Sequence, residues 1–196
     1  FVALPSSFAL CLIPLPLVSA LFEHGETSRQ DALAISYATA IYGLGLPAFM
    51  IQKLLQPLYF AREDTKTPLR FAVISMLLNA ILAIALLKVM GWIAVAVAAS
   101  ASAWVTSILL WISAKKFGRA ASVLKTSTNR IKRTFFASLV MGIILLAISQ
   151  NLYTVMQTSA ERVFFAIALV FAGSAIYLII VYMLKAFPKN SEKALN

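Results

Sequence analysis

Lys53 carries the clearest chemical demand in this chain of 196 residues. Between Asp31 and Arg62 it is the only charged side chain, and it lies nine residues before Arg62, about 13 Å along a helix. An ammonium group that deep in an apolar run is costly. Either it faces a polar interior, where it would contact an anionic substrate or a partner carboxylate, or it snorkels toward the interface. Around it the sequence supplies helix-weakening residues: Gly43, Gly45 and Pro47 before Lys53, and Pro57 after it. Each proline removes its own donor and pushes on the carbonyl four residues earlier, those of Gly43 and Lys53. In a membrane such a carbonyl has to be met by protein, water or substrate, so this helix either lines a cavity or simply kinks. Asn79 offers a second polar group at mid-span. It makes either an interhelical hydrogen bond, the favoured expectation, or part of a cavity wall.

A denser cluster follows between Pro57 and Pro68, where Arg62, Glu63, Asp64 and Lys66 crowd into one turn. There Thr67 suits an N-cap and Pro68 a first helical position, where its missing donor costs nothing. Glu23, His24 and Glu26 resemble no metal-ligand spacing and read as a solvated turn around Gly25. With only seven acidic residues, none in the middle of an apolar run, and one histidine, the chain holds no catalytic constellation and no phosphate-cradling glycine motif. The expectation is no enzymatic activity, no metal and no cofactor. Cys11 stands alone, so no internal disulfide forms.

The elements that position these groups are membrane spans. At 61% hydrophobic and 12% charged residues, with a mean hydropathy of +0.89, the charged fraction is about half that of a soluble domain. Runs without Asp, Glu, Lys or Arg cover Phe1–Phe22, Ala32–Gln52, Phe71–Leu87, Val89–Ala114, Thr134–Ala160 and Val163–Leu184. A spanning helix needs about 20 apolar residues and manages with about 17. The fold class is therefore all-α: a polytopic membrane bundle of six transmembrane helices. The spans fall at about 1–22, 32–61, 68–90 and 91–113. A basic loop at 114–133, a two-helix hairpin over 134–184 and a polar tail at 185–196 follow. The first run starts without Met or a preceding basic region and continues through Pro14 and Pro16, which is not a signal peptide. Further chain is expected to precede it.

Charge sets the orientation. Arg62, Lys66, Arg70, Lys115, Lys116, Arg119, Lys125, Arg130, Lys132, Arg133, Lys185, Lys189 and Lys193 fall on one side, and only Arg29, Lys88 and Arg162 on the other. The positive-inside rule puts the basic side and the C-terminus in the cytoplasm. The net charge of +10 thus belongs to topology and anionic membrane lipids. Without interleaved aromatics for base stacking, it does not predict nucleic-acid binding. The second span, about 30 residues, overshoots a roughly 30 Å core and must tilt or break. In the fourth, Ala94, Ala98 and Ser102 form one small-residue stripe, with Ala96, Ser100 and Ala103 beside it, which predicts close helix packing. The hairpin is bulkier, with Phe135, Phe136, Phe164, Phe165, Phe171, Tyr177 and Tyr182, and suits a peripheral, lipid-facing place.

Gly45-Leu-Pro-Ala-Phe49, Lys53 and Pro57-Leu-Tyr-Phe-Ala-Arg-Glu-Asp-Thr-Lys-Thr-Pro68 together resemble the signature of the MurJ (MviN) family of lipid II flippases, in the MOP exporter superfamily. The order Tyr59-Phe60 reverses the family's Phe-Tyr. Leu4-Pro-Ser6, Leu21-Phe-Glu-His-Gly25 and Ser102-Ala-Trp104 also fit, so the resemblance covers about residues 1–118. It implies the C-terminal part of a 14-helix transporter: four helices closing its second lobe and an appended pair, with the N-terminal half of the protein missing here. The substrate would be lipid II, moved between leaflets by alternating access, with its polyprenyl tail in a groove of the appended pair. Lys53 would be a cavity or inner-gate cation. Arg62, Asp64, Thr65, Thr67 and Pro68 would form the cytoplasmic motif loop, pairing or capping the lobe's inner end. Some relatives carry polar coupling-ion ligands on the third and fourth spans; here Ala83 and Ala99 leave Asn79 alone. The alternatives are a MATE-like or polysaccharide-lipid exporter of the same superfamily, against which the motif argues, or a non-transporting scaffold for cell-wall synthesis.

Overall fold

The computed structural model describes residues 2–23, 27–117, 128–152 and 158–184. His24, Gly25 and Glu26, the middle of the basic loop and the tail at 185–196 lie outside these. Every described element is helical. Five helices are long and apolar enough to cross a membrane, or six if the bent first pair counts as one span.

That pair is α1 (Ala3–Leu12) and α2 (Pro14–Phe22), which meet at Ile13 with a bend of 81°. Pro14 drives the break, because a residue before proline is disfavoured in the helical region. Ile13 accordingly sits at φ −126°, ψ 43°. The predicted first span is thus two half-helices.

Helix α3 (Arg29–Phe60) is 32 residues long and opens with a capping box, Ser28 and Asp31 exchanging side-chain and backbone hydrogen bonds. It runs unbroken through Pro47 and Pro57, so of the two ways for so long a span to fit, tilt or break, the break is not the one taken. Pro47 withdraws the donor that Gly43 would have met, and the Ser7 hydroxyl of α1 donates to the Gly43 carbonyl at 2.6 Å instead. On α3's other side, Ser100 donates to Ile41, Trp104 to Leu44 and Ser107 to Ala48. With these carbonyls met from two neighbours, the helix survives Pro47.

Helix α4 (Lys66–Met90) turns at Gly91, whose φ of +57° suits a residue without a Cβ, into α5 (Ile93–Ala114) and a short 3-10 turn, Lys115–Phe117. The small-residue stripe does what its spacing predicts. Ala94, Ala96, Ala98, Ser100, Ser102 and Ala103 are all buried, and α5 packs between α3 and α4, which barely touch each other. The hairpin is α6 (Thr128–Leu152) and α7 (Ser159–Met183). It is joined to the rest by α6 on α1 and α7 on α2. The helices therefore form a row: α4, α5, α3, the bent α1–α2 pair, then α6 and α7. The hairpin's aromatics divide. Phe164, Phe171 and Tyr182 are exposed, while Phe165 and Tyr177 join Ile13, Met141, Leu145 and Leu169 in a core cluster.

Candidate functional site: a motif turn and two cavities

The turn after α3 is built from the motif residues. Tyr59 is fully buried; its hydroxyl donates to the Leu110 carbonyl at 2.7 Å and its ring meets Phe117 edge-on. Its own carbonyl accepts from the N–H groups of Arg62 and Asp64. The turn is tight enough to place Glu63 at φ +58°, in the left-handed region that a non-glycine residue adopts at a cost. Arg62 stacks over Phe117 at 4.4 Å.

Asp64, rather than Thr67, caps α4. Its carboxylate accepts from the Thr67 N–H at 3.0 Å and the Thr67 hydroxyl at 2.8 Å. Thr65 stands at the N-cap position without a side-chain cap bond. Pro68 is the third helical residue, not the first, still within the turn whose donors lack helical partners. Lys116 lies 3.4 Å from Asp64, joining the turn to the end of α5. The Thr67 backbone and hydroxyl bonds, then Lys116, hold the Asp64 carboxyl below the usual carboxylate range. A group whose folded pKa is lowered contributes stability that is complete above its unfolded value of about 3.9 and lost as pH falls through the folded value. The turn therefore stays latched at neutral pH and loosens only in acid. Asp64→Ala, in detergent at pH 7, is expected to raise tryptic cleavage within residues 61–66 about fivefold, the scale of one net hydrogen bond, with Asp64→Asn in between. Equal rates for all three would remove the latch.

A first cavity of about 290 Å³ lies over α5 between α3 and α4. Its polar lining is uncharged: Gln52, Gln56, Ser75, Asn79, Ser102 and Thr106. Asn79 Oδ1 is buried and meets no hydrogen-bond partner among the described residues, so no interhelical bond is seen for this oxygen there, and Asn79 lines the cavity wall. Gln52 reaches the Ala103 carbonyl at 2.8 Å. Neither glutamine carries a charge, and their one-turn spacing in an apolar run is the sequence signal for them. Pro68 lines the same cavity, whereas Lys53, Gly43, Gly45, Pro47 and Pro57 do not. Gly43 and Gly45 are buried seams against α1 and α5. Lys53 and Pro57 are exposed on another face of α3.

A second cavity of about 450 Å³ lies between the bent pair and the hairpin. Pro5, Ala9, Leu17, Met141, Leu169 and Leu178 make its wall almost wholly apolar. Among the described residues no three metal-ligating side chains cluster.

A row of apolar helices enclosing one neutral polar cavity and one oily one defines a multi-pass helical membrane protein. A family model described as "Lipid II flippase MurJ" matches residues 1–171, and the chain belongs to that family. It is 37% identical over 142 residues to a Rhizobium meliloti (strain 1021) protein named "Probable lipid II flippase MurJ", covering 72% of this chain and 26% of that one. A Thermosipho africanus (strain TCF52B) protein named "Lipid II flippase MurJ" is 33% identical over 135 residues, covering 69% and 28%. A solved structure of lipid II flippase MurJ in an inward closed conformation superposes with a TM-score of 0.71 at 27% identity, covering 92% of this chain and 35% of that one. The fold is thus of the MOP type, and the chain spans about a quarter of the length of these two relatives. Their names describe a transporter rather than a catalyst.

Proposed function

We propose that this chain is the C-terminal part of a lipid II flippase, which moves the lipid-linked peptidoglycan precursor from the inner to the outer leaflet of the bacterial cytoplasmic membrane by alternating access. In this reading α1 to α5 belong to the second lobe, the hairpin is appended to it, and the basic loops and C-terminus face the cytoplasm. Lys53 points into a space completed by the N-terminal half and contacts an anionic group there. The Arg62 to Pro68 turn ties the lobe's cytoplasmic end together.

The observation that supports this best is the apolar cavity between the bent pair and the hairpin, in a member of a flippase family. A lipid whose headgroup crosses the membrane leaves its polyprenyl chain in the hydrocarbon, and a slot walled by Pro5, Ala9, Leu17 and Leu169 suits that chain by burial alone. Filling the slot tests it. In the full-length protein Ser174→Trp, on the cavity wall, is expected to lower lipid II appearance in the outer leaflet of a flippase-depleted strain by about tenfold or more, a loss of about 1.4 kcal/mol of binding, at unchanged membrane level. Undiminished translocation would overturn the tail assignment.

A further inference from the structure

At the end of the bundle opposite the motif turn, Glu23 and Arg162 form an ion pair at 2.5 Å, with side chains only 10% and 15% exposed. The Asp64–Lys116 pair, the other one among the described residues, is far wetter, at 24% and 51%. Glu23 follows the last residue of α2, and Arg162 sits in the first turn of α7. A buried pair is a poor source of net stability, because desolvating both ions consumes most of the attraction, but it fixes geometry and its half-removal is costly. Its place in the fold says which geometry. α7 supplies Leu169, Gly173, Tyr177 and Leu178 to the apolar cavity, and Leu17 of α2 stands opposite. The other wall is held separately: α1 meets α6 through the Phe8–Phe135 ring contact and through Leu12 against Gly142. At that end of the bundle the ion pair therefore spans the two sides of the cavity. Glu23 Oε2 is buried and meets no donor among the described residues, so separation of the pair returns hydration that closure withholds.

We propose that Glu23 and Arg162 are a clasp that holds α7 against α2 and sets access to the apolar cavity from that end. They are positioning residues, acting on the occupant of the cavity through the spacing of its walls. That this occupant is a lipid tail rests on the function proposed above; the clasp itself does not.

The test uses the full-length protein with Cys11→Ala and a reporter, Leu169→Cys, at a buried position of the cavity wall. Glu23→Gln and Arg162→Gln are each expected to raise maleimide labelling of the reporter about tenfold, and the exchange Glu23→Arg with Arg162→Glu to return it toward the starting rate. A second reporter on the exposed face of α4, Ile84→Cys, is expected to label equally in all variants, which separates unclasping from general loosening. Cavity labelling unchanged by either neutralisation, or raised equally at both reporters and not rescued by the exchange, would overturn the clasp. Cavity labelling raised and rescued, with lipid II translocation by the corresponding variants lacking the reporter unaltered, would uphold the clasp and refute the tail assignment.

Discussion

Lys53→Ala in the full-length protein abolishes growth of a flippase-depleted strain while membrane insertion and protein level stay normal: this is the largest functional effect expected from any single side chain in the chain. α3 is one continuous helix from Arg29 to Phe60, so no break brings Lys53 nearer to the interface than its roughly 13 Å from Arg62. Translocon-scale costs for a lysine at the middle of a span are about 2.5–3.5 kcal/mol, an expense without structural return here. Lys53 is exposed, makes no ion pair among the described residues and has Met50, Leu54, Pro57 and Phe60 exposed around it. It is also absent from the wall of the neutral cavity, so Gln52, Gln56 and Asn79 do not provide its solvation. On the function proposed above, the charge serves an anionic group on a surface that the rest of the full-length protein completes. Losing one partner of a desolvated charged contact costs about 2–5 kcal/mol, more than about thirtyfold in transport. Lys53→Arg is expected to retain part of the activity. Wild-type growth of Lys53→Ala at matched expression would refute the role.

How far the sequence carried this picture depends on which physical signal was in play. Hydropathy anticipated where the long helices lie, because each needs an unbroken apolar run, although α6 begins at Thr128, six residues before the apolar run that starts at Thr134. The α5 stripe was readable for the same reason: small residues four apart leave nothing to hold another helix away. Pro14 and Pro47 look alike in sequence and behave differently. At Ile13 the break stands, whereas around Pro47 hydroxyl and indole donors from α1 and α5 keep the helix whole. Those donors lie 36 to 60 residues away, and no local rule anticipates them. Thr67 at the N-cap failed because Asp64 and Thr65, three and two residues before it, compete for the same role, and a carboxylate that reaches Thr67's N–H and hydroxyl together wins. The clasp was invisible for another reason: Glu23 and Arg162 are 139 positions apart, and each looks like an ordinary loop charge.

The largest structural effect is expected at Gly45. A Cβ there would stand 2.8 Å from Ser100 Oγ and 3.3 Å from Ser100 Cα. The second contact is backbone, so the clash is relieved only by parting α3 from α5. At Gly43 the neighbours are Cys11 Sγ and Leu10 Cβ, both at 3.0 Å, and the Cys11 backbone nitrogen at 3.3 Å; none is as near as Ser100 Oγ is at Gly45, and they lie on a half-helix that ends at the Ile13 bend and has more freedom to give. Helix propensity favours replacing either glycine by about 1 kcal/mol if the replacement is alanine, which offsets much of a mild clash at Gly43. It does not offset a valine at Gly45. Overpacking costs about 1–3 kcal/mol, and parting the helices also strains the Ser100–Ile41, Trp104–Leu44, Ser107–Ala48 and Gln52–Ala103 bonds, each worth about 0.6 kcal/mol in a bilayer. Gly45→Val should therefore lower the full-length protein's stability by about 3–5 kcal/mol, with Gly43→Ala near neutral. Thermal unfolding in detergent ranks the two, and Gly45→Val melting with the wild type would refute the seam. The neutral cavity gives a second readout, because α5 is its floor. If α3 moves away from α5, Gln52 loses the Ala103 carbonyl, and a Ser75→Cys reporter on the cavity wall should label faster in Gly45→Val than in Gly43→Ala.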